Sequence, residues 1–416
     1  MENWQTVISH EWEKRQSAAP TSTGFPLVEQ NFDADEIVAM TEVLLSGQLT
    51  MAGRVREFEK QFAQWIGSPY AVMVNSGSSA NLLAVAVAMN PLRSQRLNVG
   101  DEVLVPAVCW STSVWPLVQM GLKPVFVDVD PKTLNVSVEA LKAVATPKTR
   151  GLLAVHILGN CAPMDAVLDF AKSSGWIVIE DTCESLGSKW KGRALGTLGN
   201  FGTYSFYFSH HMTTGEGGMV VCQTAEDYDL LKCLRAHGWT RELSNRADLE
   251  TKHPQVDPRF LFVNAGFNFR PMEIQAALGL KQLAKLDVMN AARIQNRDRL
   301  IQALQGHSKW KKQFEFPEAP AGAIPVWFGF PAILTNETDL QVFLKRLSAA
   351  GVENRPVVSG NFARQPGLAL FNAKADIKHL PGAERVHERG FFIGLHSQLI
   401  SDEKVSALAD TLLGSV

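Results

Sequence analysis

The chain has 416 residues, 46% hydrophobic and 20% charged, which suits a large globular domain with a smaller companion and argues against extended disorder. Forty Lys and Arg against 42 Asp and Glu leave a formal charge of -2, so there is no electrostatic case for nucleic acid or an anionic membrane, and an anionic ligand has to be caught locally. Residues 1–16 lack the apolar centre of a secretion signal, no later run reaches the length of a membrane span, and five scattered cysteines without a C-x-x-C pair fit a reducing compartment; a cytoplasmic protein is expected.

Residues 1–24 are polar, end in Ala18-Ala19-Pro20-Thr21-Ser22-Thr23-Gly24, and read as an arm and linker with no fold of its own. Apolar Ile37, Val38, Met40, Val43, Leu44 and Leu45 predict a helix over 33–46, and a second covers 54–65, closed by Gly67. Tyr70-Ala71-Val72-Met73-Val74 predicts a strand. It runs into Asn75-Ser76-Gly77-Ser78-Ser79-Ala80-Asn81 and an apolar helix over 82–89. In such a turn free amides and the positive end of the helix dipole can face an anion, although a plain Ser-rich cap has the same local sequence.

Strand-like runs at 102–105, 124–129, 152–156 and 176–180 alternate with helical patterns at 113–120, 138–144 and 164–173. Continuous Val/Ile/Leu strands between helices indicate a mainly parallel sheet covered on both faces. Ligands bind such sheets outside the carboxyl ends of the strands, where Trp110, His156 and Asp181 fall. Each also has a plain structural reading: Trp110 as core filling, His156 as a satisfied interior histidine, Asp181 as the cap of the following turn.

A strand over 203–208 enters His210-His211, and Thr213-Thr214-Gly215-Glu216-Gly217-Gly218 returns the chain to a second apolar run at Met219-Val220-Val221. The glycines let the backbone pass close to another group. A helix over 227–237, a polar stretch over 240–260 without periodicity, and a long amphipathic helix from Met272 toward Leu304 follow. From about Trp310 a strand over 327–334, a helix over 339–350, a polar turn at 359–366, a strand over 390–395 and a helix over 402–413 read as a smaller α/β unit.

Taken in order, N-S-G-S-S-A-N at 75–81, P-A-x-x-W at 106–110, F-V-D-V-D at 126–130, H-x-x-G-N at 156–160, E-D at 180–181, S-F at 205–206, G-E-G-G at 215–218, G-F-N-F-R at 266–270 and Q-A-A-x-G-L-x-Q-L at 275–283 resemble the DegT/DnrJ/EryC1/StrS family of pyridoxal-phosphate-dependent sugar enzymes, over nearly the whole chain from Phe25 to Leu413. The resemblance implies an α/β, fold-type I transferase-like architecture, with a large cofactor-binding domain over 25–305 and a smaller C-terminal domain over 306–416. It implies that Gly77, Ser78 and Ser205 hold the cofactor phosphate. Asn268 would reach the same phosphate from the neighbouring subunit of a homodimer with shared active sites; whether dimers pair into a tetramer stays open. Trp110 would stack on the pyridine ring and Asp181 would pair with the ring nitrogen, keeping it protonated as an electron sink. Glu184, at a position often held by Gln, is expected to contact the cofactor as well.

His210 departs from the aminotransferase pattern, which carries a cofactor-linking lysine here; no lysine occurs between Lys191 and Lys232. Imidazole cannot form that link, so pyridoxal 5'-phosphate or pyridoxamine 5'-phosphate would be bound non-covalently. The same replacement, together with His211 and the stretches at 327–331 and 359–366, resembles the histidine-containing sugar 3-dehydratases of the family, the branch acting on GDP-4-keto-6-deoxy-D-mannose and CDP-4-keto-6-deoxyglucose. The resemblance therefore implies dehydration at C3 of a nucleotide-linked 4-keto-6-deoxyhexose, with His210 as acid and base and glutamate restoring the amine form of the cofactor. The CDP-sugar enzyme carries an iron-sulfur cluster, but residues 234–268 contain no cysteine, so neither cluster nor metal is expected. His211 is expected to pack, and Arg355 and Arg364 are candidates for the nucleotide. A sugar aminotransferase with an untethered cofactor and a non-catalytic cofactor-binding homologue remain the alternatives.

Overall fold

The computed structural model describes residues 3–18, 24–373 and 375–416. Its main sheet has seven strands in the order Tyr70–Val74, Gly218–Cys222, Phe201–Ser205, Ile177–Asp181, Thr149–Val155, Glu102–Pro106 and Lys123–Val127. Gly218–Cys222 runs antiparallel to both its neighbours, and the other pairings are parallel. The α/β class with a mainly parallel sheet is thus as expected. The inner parallel strands are buried on both faces, which is why Val103-Leu104-Val105, Leu152-Leu153-Ala154-Val155 and Ile177-Val178-Ile179 read as unbroken apolar runs.

The helix Gly77–Ala88 is apolar nearly all round because it lies between the sheet and the helices Ser111–Gln119 and Ala225–Arg235. Gly53–Ile66 starts at Ala52, which has no capping side chain. The carboxylate of Glu273 does that work from across the chain, accepting the amides of Ala52, Arg54 and Val55 at 2.7, 2.7 and 2.9 Å.

Glu273–Gly306 is one unbroken helix of 34 residues. Its end, with Leu300 and Leu304, enters a second core under an antiparallel sheet ordered Phe314–Glu315, Phe330–Leu334, Gly390–Ile393 and Asn354–Pro356. Arg293, on the same helix, donates to the carbonyls of Phe328 and Leu395 at 3.0 and 2.6 Å. Asp128, just past a strand of the main sheet, accepts the first amides of the helix Pro381–Arg389, those of Gly382 and Ala383.

Three expectations are corrected. Trp4–Ala18 forms a helix where an arm without a fold was expected: the stretch has no Gly or Pro, carries an Arg15–Glu11 pair, and sets Trp12 against Phe32. The linker expected at 19–23 lies outside the described residues. The strand expected over 203–208 ends at Ser205, because the Phe206 amide turns to the Gly217 carbonyl and the Thr214 amide to the Phe206 carbonyl, closing a loop. The helix expected from Leu82 begins instead at Gly77, where the Ser76 hydroxyl caps it by accepting the Ser79 amide at 3.1 Å. No helix among the described residues is long and apolar enough to cross a membrane.

Candidate active site at the carboxyl end of the main sheet

Asp181 is the last residue of the Ile177–Asp181 strand. Its Oδ2 accepts Asn81 Nδ2 at 2.8 Å and Ser113 Oγ at 2.7 Å, and its Oδ1 accepts the Cys183 amide at 3.2 Å. The parallel crossovers bring these residues together from two helices and a strand end.

Beside it, the first turn of Gly77–Ala88 meets Ser205 at the end of its strand. A Cβ on Gly77 would lie 2.5 Å from Ser205 Cβ and 2.8 Å from its Oγ, and a Cβ on Gly218 would lie 2.5 Å from the Ser76 carbonyl oxygen. Glycine at both positions is therefore what lets the Ser205 hydroxyl sit at the helix N-terminus. Helix geometry leaves the amides of Gly77 and Ser78 without intrahelical partners there, and Ser78 is exposed. This cleared cradle, with its amides and hydroxyls, fits a phosphate.

Trp110, the residue before Ser111–Gln119, is 56% exposed, so its ring is a free face and not core filling. The C-terminal part of the chain holds the strand end behind it: the Ser359 hydroxyl donates to the Cys109 carbonyl at 2.6 Å, and the Phe362 amide donates to that of Ala107 at 2.7 Å.

His210 sits in the turn after the Phe201–Ser205 strand, its amide donating to the Tyr207 carbonyl at 3.0 Å. Its Nδ1–H donates to the Cys183 carbonyl at 2.6 Å, which fixes the tautomer and leaves the lone pair on Nε2. The ring packs edge-on against Phe328 at 5.0 Å. Burial lowers the imidazole to about 4, with the charge of Arg293 acting the same way against the hydrogen bond to Cys183 and the charge of Asp181. The ring is therefore neutral at pH 7. His211 is fully buried and donates from Nε2 to the Val326 carbonyl at 3.0 Å, a packing role as expected.

Glu184 lies one turn past Asp181, and its Oε2 accepts the Leu158 amide at 2.9 Å. Burial, followed by the charge of Asp181 and against that hydrogen bond, pushes its carboxyl up to about 7. Leu158 reaches it from a left-handed conformation, φ 49°, a strain that costs about 1–2 kcal/mol and marks a turn held by its surroundings. His156 is buried and bonded through Nε2 to Glu180 at 3.0 Å, the interior role its structural reading gave it.

Asn268 stands apart within one chain. It is exposed and opens onto a groove of about 550 Å³ with Lys232, Trp239, Arg241 and Arg270, which none of the other expected site residues lines. Arg364 is engaged with Glu384 through both carboxylate oxygens, so its guanidinium is already spoken for. Sequence reasoning missed Ser113, Leu158 and Cys183, and took Asn81 only as part of a turn. Asn81 had a signal in the motif it closes, and Cys183 had one in lying two residues past Asp181; Ser113 and Leu158 reach the site through long-range folding.

A glycine-cleared helix N-terminus, a free indole face and a strand-end carboxylate at the rim of a mainly parallel sheet define the fold-type I class of pyridoxal-phosphate proteins. Within that class the chain belongs to the DegT/DnrJ/EryC1/StrS aminotransferase family, which it matches over residues 30–412. It is 38% identical over 384 residues to the GDP-4-keto-6-deoxy-D-mannose 3-dehydratase of Yersinia pseudotuberculosis, covering 91% of this chain and 96% of that one. Among solved structures, the Escherichia coli GDP-4-keto-6-deoxy-D-mannose 3-dehydratase with bound hydrated pyridoxal phosphate superposes with a TM-score of 0.86 at 35% identity, over 93% of this chain and 99% of that one. A GDP-4-keto-6-deoxymannose 3-dehydratase with a trapped pyridoxal-phosphate–glutamate geminal diamine has the same TM-score, 0.86, at 35% identity, over 93% of this chain and 100% of that one.

Proposed function

We propose that this protein removes the C3 hydroxyl of a nucleotide-linked 4-keto-6-deoxyhexose, using pyridoxamine phosphate that is held without a covalent bond and replenished by glutamate. Similarity to the Yersinia enzyme favours GDP-4-keto-6-deoxy-D-mannose as substrate, and the glutamate adduct of the solved relative favours that amino donor. When bound, the cofactor supplies an amine for the sugar ketone and a protonated ring that draws off electron density. Gly77, Ser78 and Ser205 would hold its phosphate, Trp110 one face of the ring, Asp181 the ring nitrogen and Glu184 a further polar edge.

The observation that carries the reading is His210, anchored by Nδ1 to the Cys183 carbonyl where family aminotransferases have lysine. Its neutral Nε2 can take a proton from the carbon next to the ring and return it to the departing C3 hydroxyl. A lysine amine of ordinary pKa, about 10.4, would be protonated at pH 7 and unable to start this exchange. Phe328 and the half-buried peptide of Cys183 cover one side of the imidazole.

The same reading makes residues 25–305 the cofactor-binding domain and 306–416 the smaller one. It places the partner subunit's Asn268 at the phosphate in a shared-site homodimer, supported by the exposure of Asn268 on its own chain. Five free cysteines and a nucleotide-linked substrate support a cytoplasmic setting.

Incubation with GDP-4-keto-6-deoxy-D-mannose, pyridoxamine phosphate and glutamate tests the proposal by mass spectrometry. The expected products are a 3-deoxygenated keto sugar, ammonia and 2-oxoglutarate. A sugar that keeps its C3 oxygen and gains nitrogen would make the protein an aminotransferase, and tight cofactor binding with no conversion of any nucleotide keto sugar would make it a binding homologue.

A further inference from the structure

The carboxylate of Asp181 is held in its pose by side chains that the proposed chemistry does not itself use. Oδ2 takes two donors, Asn81 Nδ2 and Ser113 Oγ, while Oδ1 has a single backbone donor, the amide of Cys183. Asn81 and Ser113 are 1% and 0% exposed. Asn81 is locked in turn: its Oδ1 accepts the Thr203 hydroxyl at 2.5 Å, and its second Nδ2 hydrogen goes to the Thr112 carbonyl at 3.1 Å. A carboxylate and a carbonyl can only accept, so the NH2 side of the amide must face them and the Thr203 hydroxyl must donate to the oxygen side. The amide therefore has one orientation.

Two donors saturate Oδ2 and leave Oδ1 as the oxygen with acceptor capacity to spare. A carboxylate rotates broadly about its last bond unless its surroundings stop it. We propose that Asn81 and Ser113, backed by Thr203, are positioning residues that fix the Asp181 carboxylate so that Oδ1 meets the ring nitrogen of the cofactor and keeps the proton there. The inference rests on the reading of Asp181 as the ring-nitrogen partner. Without the two donors the carboxylate swings, the N–H loses its acceptor, and the ring loses the proton that makes it an electron sink.

A buried polar cluster can also serve the fold alone, and the two roles separate by spectroscopy. Pyridoxamine phosphate labelled with 15N in the ring reports protonation of that nitrogen through its chemical shift when bound to the full-length protein. The parent is expected in the protonated range. Ser113→Ala, which removes one hydroxyl, and Asn81→Leu, which removes the amide at similar volume, move the resonance toward the unprotonated range and weaken cofactor binding roughly tenfold each. Thr203→Val removes a hydroxyl that bonds Asn81 Oδ1 and the Glu180 carbonyl but not the Asp181 carboxylate; it moves the resonance the same way by less, and it is near-isosteric, so the test survives if Asn81→Leu fails to fold. If Ser113→Ala and Thr203→Val lower the melting temperature but keep the parent's shift, while Asp181→Asn loses it, the inference is overturned and Asp181 keeps its role. If Asp181→Asn itself leaves the shift in place, Asp181 does not face the ring, and the inference falls with that part of the functional reading.

Discussion

His210 donates its Nδ1 proton to the carbonyl oxygen of Cys183 across 2.6 Å, while the amide of the same Cys183 points the other way, to Asp181 Oδ1. One residue thus sets the spacing between the proposed proton carrier and the proposed partner of the ring nitrogen. Replacing His210 with Asn keeps a side chain of similar reach but removes the base. The rate of C3 deoxygenation is expected to fall by about 10²–10⁴, while titration with pyridoxamine phosphate still shows binding.

The pH dependence should carry two marks. His210 is held near 4, so the limb on which kcat/KM falls as the base is protonated lies near pH 4 and not near the free-imidazole value of about 6.5. Glu184, raised to about 7, gives a second inflection there. In Glu184→Gln the inflection near 7 disappears and the limb near 4 remains, as a rate profile from about pH 3 to about pH 9 would show.

Stability follows the same group with a definite sign. The folded chain binds the Glu184 proton more tightly than the unfolded chain, so the neutral carboxyl stabilises the fold below the ordinary value of 4.5 and the benefit is lost as pH rises through about 7. Glu184→Gln does not titrate. Its melting temperature relative to the parent should rise by roughly 1–3 °C between pH 5 and pH 8; a constant difference across that range would contradict the burial argument.

Gly77 is required by Ser205. An added methyl 2.5 Å from Ser205 Cβ has no rotamer to escape into, because the neighbour is close to backbone. Gly77→Ala is expected to destabilise the protein by about 1–3 kcal/mol and to weaken cofactor binding more than tenfold, read by chemical denaturation and by cofactor titration.

How much of this the sequence discloses depends on how far apart the cooperating residues lie. The alternating strands and helices were legible because each period is local, and Asp181 could be placed at a strand end for the same reason. The loop at 206–218 was not, since Phe206, Tyr207 and Phe208 favour a strand by type and only bonds to Thr214 and Gly217 turn them aside. Asn81, Ser113 and Thr203 meet through parallel crossovers, and Leu158 adopts a left-handed conformation that a leucine does not advertise. Trp4–Ala18 hid behind its polar composition, having only a half-buried face to show.

Glu273 illustrates the same distance in the fold's stability. Its side chain is 3% exposed and accepts three amides that the Gly53–Ile66 helix cannot satisfy itself. Glu273→Ala should cost about 2–3 kcal/mol, seen as a lower denaturation midpoint without a change in slope.

Borohydride reduction of the pyridoxal-phosphate-loaded protein, followed by intact-mass measurement, shows whether the cofactor is clamped beside His210 without ever being bonded to the chain. The expected mass is that of the bare polypeptide, with all of the reduced cofactor released on denaturation. A polypeptide heavier by one reduced cofactor would show a covalent attachment to some other amine and contradict it.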